Sequence, residues 1–159
     1  MSRLFFETDP PEACPIGFGG PSDVLVYFLS LAFSTRYGSI HPLSQLALLL
    51  RGEMKIDLGP LTTFADRDAE VEADERELER VWQDAGPLAE TLGKVTAALA
   101  SAQAAAQAAA QEAAQEAGDD RIAVLTEDAP DLAARLGELR EMAAWAAGRG
   151  MRVRLTFEL

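Results

Sequence analysis

The chain is short of cysteine, lysine, asparagine and long apolar runs, and each shortage narrows what the protein can be. A single cysteine, Cys14, excludes an internal disulfide. Small secreted domains usually carry several, so a reducing, cytoplasmic setting is expected. The longest apolar run, Val24 to Phe33, is broken by Ser30 and falls well short of the roughly 20 residues that span a bilayer. Met1 to Thr8 lack a basic stretch followed by an apolar core, so no secretory signal is expected. Two lysines stand against twelve arginines and asparagine is absent, a coding bias that suggests a GC-rich bacterial genome and bears on origin rather than function.

Positive charge is also scarce. Lys and Arg number 14 and Asp and Glu 26, a formal net charge of −12. Phosphate backbones and anionic membranes need clustered positive charge, so neither nucleic acid nor membrane is an expected partner. Arg149, Arg152 and Arg154 are too few to outweigh the global field. With 48% hydrophobic and 25% charged residues the composition is that of a folded domain. A chain of 159 residues fits one domain, residues 1–159, able to bury about 68–70% of its unfolded surface without a disulfide or metal staple.

Arg3 to Thr8 are β-prone and are stopped by Asp9-Pro10-Pro11, which predicts an N-terminal strand. A Pro/Gly-rich loop follows to Gly20. Ser22 and Asp23 signal a helix start, and the helix to about Thr35 is apolar nearly all round, as a buried helix would be. Pro42 to Arg51 reads as a second helix closed by Gly52. Met54, Ile56 and Leu58 alternate with Lys55 and Asp57, which permits a short strand.

From Phe64 onward, apolar or small residues recur every seven positions at Phe64, Val71, Leu78, Ala85, Leu92, Leu99, Ala106 and Ala113. A second set lies at Val81, Leu88, Val95, Ala102 and Ala109. This is the seam by which helices pair, so residues 64–117 are expected to form a long helical hairpin or an arm kinked at Gly86-Pro87. Its alanine-rich end, with Gln103, Gln107, Gln111 and Gln115 at every fourth position, is strongly helix-prone and permits close approach of another helix. Repeat expansion of a permissive helix is the plainer reading of that pattern.

Gly118-Asp119-Asp120 should end this helix, with a strand at 121–126 after it. A helix capped by Asp128 would carry the stripe Leu132, Leu136, Leu139, Ala143 and Ala146, stopping at Gly148 and Gly150. Val153, Leu155, Phe157 and Leu159 alternate strictly with Arg152, Arg154, Thr156 and Glu158, which predicts a C-terminal strand with one wet face. A strand, helix and strand in that order imply a parallel pair with a right-handed crossover. The expected fold is therefore α+β and helix-dominated, with a small sheet made from the N-terminal strand, the strand at 121–126 and the C-terminal strand.

No motif of high chemical specificity is present. Nine acids between Asp66 and Asp84 face three arginines, a local charge of −6. They point many ways on a helix, unlike a convergent hard-metal site, so no metal or cofactor is expected. A solvated face, or a surface for a basic partner, accounts for them. Cys14 and His41 are each the sole residue of their type and would make a nucleophile and base only if folded together; no family signature surrounds either. Gly17-Phe18-Gly19-Gly20 precedes a helix N-terminus, where free amides can hold an anion, but lacks the Lys-Ser/Thr ending of a phosphate loop. Phe18 on such a loop, and Trp82 beside the acids, are candidate partner contacts, although burial in the chain's own core is the commoner fate of tryptophan.

These features point to a non-catalytic protein-binding protein. It would present Phe18, Asp68, Glu72, Glu75, Glu79 and Trp82 to a basic protein partner, or self-associate through the heptad seam. An immunity or antitoxin-like inhibitor is one form this could take. A small enzyme or ligand-binding domain using the Cys14/His41 region is the alternative from another class, and a structural subunit of a larger assembly is a third.

Overall fold

The computed structural model describes residues 2–34, 41–111 and 121–159, with the side chains of all of these but 105–111. The chain is α+β, rich in helix, with a small mixed sheet that includes both terminal strands. The strands are β1 (Arg3–Asp9), β2 (Phe64–Asp66), β3 (Gln83–Asp84) and β4 (Arg152–Glu158); the helices are α1 (Asp23–Ser34), α2 (Pro42–Gly52), α3 (Glu72–Arg80), α4 (Ala85–Gln111), α5 (Arg121–Leu125) and α6 (Leu132–Gly148). A 3-10 turn, Gly59–Thr62, leads into β2. No described helix is long and apolar enough to cross a membrane.

The strongly alternating C-terminal segment becomes the central strand. On one side β1 runs antiparallel to it from Arg3↔Glu158 to Asp9↔Arg152. On the other side β2 runs parallel, Phe64↔Leu155 to Asp66↔Phe157, and β3 pairs antiparallel at Gln83↔Val153 and Asp84↔Arg152. Because side chains alternate across a strand, Leu4, Phe6 and Thr8 share one face with Val153, Leu155 and Phe157. That face meets the helices. Phe5, Glu7 and Asp9 share the other with Arg152, Arg154 and Thr156.

The core lies mainly between α4 and α6. Ala85, Leu88, Leu92, Val95, Leu99 and Ala102 are buried along α4, and Leu132, Leu136, Leu139, Ala143 and Ala146 are wholly enclosed on α6, the stripe read from the sequence. The apolar α1 is buried at Leu25, Val26, Phe28, Leu29 and Ala32. Ser22 has a different task from the one expected at the helix start: its buried Oγ accepts the Leu4 amide at 3.0 Å, tying α1 to β1. Pro42 occupies the first turn of α2, where its missing N–H costs nothing.

Several expectations are overturned. Residues 121–126 are not a strand; Arg121–Leu125 form α5, which packs against α4 and α2 and buries Ile122 near Leu99, Ala102 and Ala133. Thr126 bonds back to the Ile122 carbonyl through both its amide and its hydroxyl. A short apolar run suits either element, and here packing decides. The expected parallel strand pair is therefore absent, and the parallel neighbour of β4 is β2.

Residues 64–117 are not one hairpin or kinked arm. Their described part holds β2, α3, β3 and α4 in turn, while 112–117 and the Gly118 stop lie outside the described residues. Gly86-Pro87 opens α4 instead of kinking it, since the first turn has no amide bonds for proline to remove. From Ala85 to Ala102 the seam is buried within the same chain, mostly against α6. Nor do Met54 to Leu58 form a strand: Lys55 sits at φ 57° and the chain turns inward to bury Ile56 and Leu58. Helix α6 starts at Leu132, with Asp131 and not Asp128 at its N-cap and no side-chain cap bond there.

Candidate functional site

Helix α3 departs from the others in having no buried residue. Its start is well formed all the same. The Asp74 carboxylate accepts the amides of Glu70 at 3.1 Å and Val71 at 3.3 Å, reaching back across the first turn as the third helical residue of a capping box does. Glu72, Asp74 and Glu75 sit at the positive end of the helix dipole and Arg80 at the negative end. The helix is held against the sheet by Leu78, which is half-buried and whose carbonyl accepts Arg154 Nη1 at 3.2 Å.

Beside α3 lies a cleft of about 660 Å³. Its apolar lining is Phe33, Phe64, Phe157 and Leu159, and its carboxylates are Asp66, Asp68, Glu70, Asp74 and Glu77. Phe64 is the hub of the floor, edge-to-face with Phe33 at 6.0 Å and with Phe157 at 5.7 Å between ring centroids. Phe33 and Leu159 remain 58% and 79% exposed, so this floor is open to solvent. Among the described residues no group of three or more His, Cys, Asp or Glu side chains is placed to hold a metal ion. What the cleft offers is an aromatic floor under negative walls.

The sheet face below α3 is an internal salt-bridge network. Glu7 receives Arg154 Nη2 at 3.0 Å, Arg154 Nε at 3.3 Å and the Thr156 hydroxyl at 2.8 Å. Partial burial pushes the Glu7 carboxyl up, but these hydrogen bonds and the charges of Arg154 and Arg67 outweigh it and leave the group below its ordinary value. Trp82 lies over Arg154 at 4.4 Å and Arg152 at 5.8 Å; Arg67 lies over Phe5 at 3.7 Å. Arg152 also reaches Asp9 at 2.6 Å.

The candidates read from the sequence are thus scattered. Asp68 lines the cleft. Glu72, Glu75 and Glu79 are exposed on α3 away from its lining. Trp82 is half-buried in cation–π contacts within its own chain, and Phe18 is half-buried against the core where an exposed loop tip was expected. The glycine loop does hold an anion, an internal one: Gly19 N–H donates to Glu138 at 3.1 and 3.2 Å, and Glu138 pairs with the buried Arg135. Cys14 packs against the core. His41 caps α2, its Nδ1 accepting the Leu43 amide at 3.1 Å. It lines a second cleft, of about 370 Å³, with Tyr27, Asp23, Asp128 and Asp131, whose lining does not include Cys14.

Phe33, Phe64, Phe157 and Leu159 were missed as site residues. The alternation of β4 placed Phe157 and Leu159 on one face, but nothing local paired them with Phe64, which reads as a heptad position. Comparison with protein-family models, with curated protein sequences and with solved structures finds no match to this chain.

Proposed function

We propose that the protein is a non-catalytic binding module that takes a basic protein partner on the exposed side of α3 and in the cleft beside it. The observation that carries this reading is the combination in one cleft of an open aromatic floor and five carboxylates. Aromatic rings provide the apolar anchor typical of interface hot spots, and the carboxylates select and steer a cationic partner. The net charge of −12 extends that field over the whole molecule. An inhibitor that masks a basic surface on another protein would use such a face. Pairing through the heptad seam is the weaker reading, since from Ala85 to Ala102 that seam is consumed by α6.

A ten-residue peptide alternating lysine and leucine tests the reading by calorimetry or fluorescence anisotropy. Binding should weaken about tenfold between about 0.05 and about 0.5 M salt, as a surface held by exposed charges does. The triple variant D68N/E70Q/E77Q should weaken it by a similar factor, whereas a peptide alternating glutamate and leucine should not bind. Equal binding of the acidic and basic peptides, or indifference to salt, would refute the proposal.

A further inference from the structure

Resting on the binding reading above, we infer that the partner presents an extended basic segment that pairs with the open edge of β2. The sheet ends at β1 on one side of β4 and at β2 and the two-residue β3 on the other, and the chain treats β1 and β2 differently. On β1 the outward amide of Leu4 is already taken by the buried Ser22 hydroxyl, and Asp9-Pro10-Pro11 closes the strand. On β2 the parallel ladder with β4 uses the Arg67 amide, which donates to Phe157 O at 3.0 Å. Backbone groups alternate in direction along a strand, so Ala65 shares the inward sense of Arg67 while the N–H and C=O of Phe64 and Asp66 point away from β4.

The cleft wraps that same edge. Phe64 and Phe157 belong to the helix-side face of the sheet. Ala65 belongs to the opposite face, where Arg154 reaches the carbonyl of Leu78 on α3, the helix that also contributes Asp74 and Glu77 to the cleft. A cleft lined from both faces of a sheet contains the edge between them. An added strand would alternate its side chains accordingly. One set would enter the aromatic floor of Phe33, Phe64, Phe157 and Leu159, whose sheet face Asp66 shares, and the other would meet Asp74 and Glu77; Asp68 and Glu70 complete the lining.

Charge identifies the occupant. A second copy of this chain on the same edge would bring two sets of five carboxylates together, and like charges facing each other across strands repel. A segment alternating cationic and apolar residues fits both faces.

The test uses the lysine–leucine peptide in two N-methylated forms, one methylated on every leucine amide and the other on every lysine amide. In an extended peptide the two sets of amides lie on opposite edges, so strand pairing requires only one set. One form should bind at least tenfold more weakly than the other, and binding of the parent peptide should slow hydrogen exchange at the Phe64 and Asp66 amides. Equal effects of the two methylations, with the parent still bound in a salt-dependent way, would overturn the pairing and leave the binding reading standing. Absence of salt-dependent binding by the parent peptide would overturn both.

Discussion

Helices α6 and α3 are both built largely from helix-favouring residues, yet one is structural and the other is nearly free of the fold. Seven residues of α6 are buried, Arg135 among them, and none of α3 is. The difference lies in composition and periodicity: seven of the nine residues of α3 are charged, against four of the seventeen of α6. In α6, Leu132, Leu136, Leu139, Ala143 and Ala146 recur on one side of a 3.6-residue turn, and the acids and Arg140 fall elsewhere. In α3 the single large apolar residue is Leu78, too little to fix a helix by burial. Its stability must come from Asp74 at the N-terminus, its dipole-matched ends and the Arg154 contact to Leu78. A segment so weakly invested in its own core is available to another molecule.

The comparison is broken most directly at α6. Leu136→Ala, at a fully enclosed position, should lose about 3 kcal/mol of stability, measured by urea unfolding, because the vacated volume against α4 cannot fully collapse. A loss under about 1 kcal/mol would show that α6 is not the core element described. Next is the sheet network. Glu7→Gln should cost about 1–2 kcal/mol, since it leaves the half-buried Arg154 without its carboxylate.

The same group sharpens the contrast through pH. A carboxyl held below its ordinary value in the folded protein adds stability above the unfolded value, about 4.3 for glutamate, and that contribution is lost as pH falls through the lowered folded value. Acid unfolding of the wild type should therefore be steeper below about pH 4.3 than that of Glu7→Gln. Parallel acid profiles would count against the network. The smallest effect belongs to α3: E72Q/E75Q/E79Q should cost no more than about 1 kcal/mol of unfolding stability, the dipole contribution of Glu72 and Glu75, while measurably reducing the on-rate of the lysine–leucine peptide. A loss above about 2 kcal/mol would mean that α3 is held by its exposed charges beyond their dipole contribution.

Much of the fold was legible because long periodic segments and hard stops agree. β1 before Asp9-Pro10-Pro11, α1, α2 from Pro42, α6 and β4 all fall close to where their residues place them. Three elements were not. The α5 segment has β-branched Ile122 and Val124, and only its packing against α4 and α2, with Ile122 buried, decides for helix. β2 and β3 are too short to carry a period, and they exist because the second side of β4 needs partners for its backbone. The heptad spacing through Phe64, Val71 and Leu78 is real in the sequence, but Val71 is the cap of α3 and Phe64 is in a strand. The acidic wall of the cleft was visible as composition, whereas its aromatic floor combines residues from positions 33, 64, 157 and 159.

Composition and local chemistry alone settled that this chain is a folded, strongly acidic, helix-rich domain with a strand at each end. Those properties come from charge count, from 3.6- and 2-residue periods and from proline and glycine stops, all of which act within one turn or one strand. Tertiary structure alone decided which apolar seam would be used up inside the chain, which edge of the sheet stayed open, and that an aromatic floor would meet the acids. Those outcomes depend on contacts between residues far apart in sequence, where several pairings satisfy the local pattern and only the packing of the whole chain selects one.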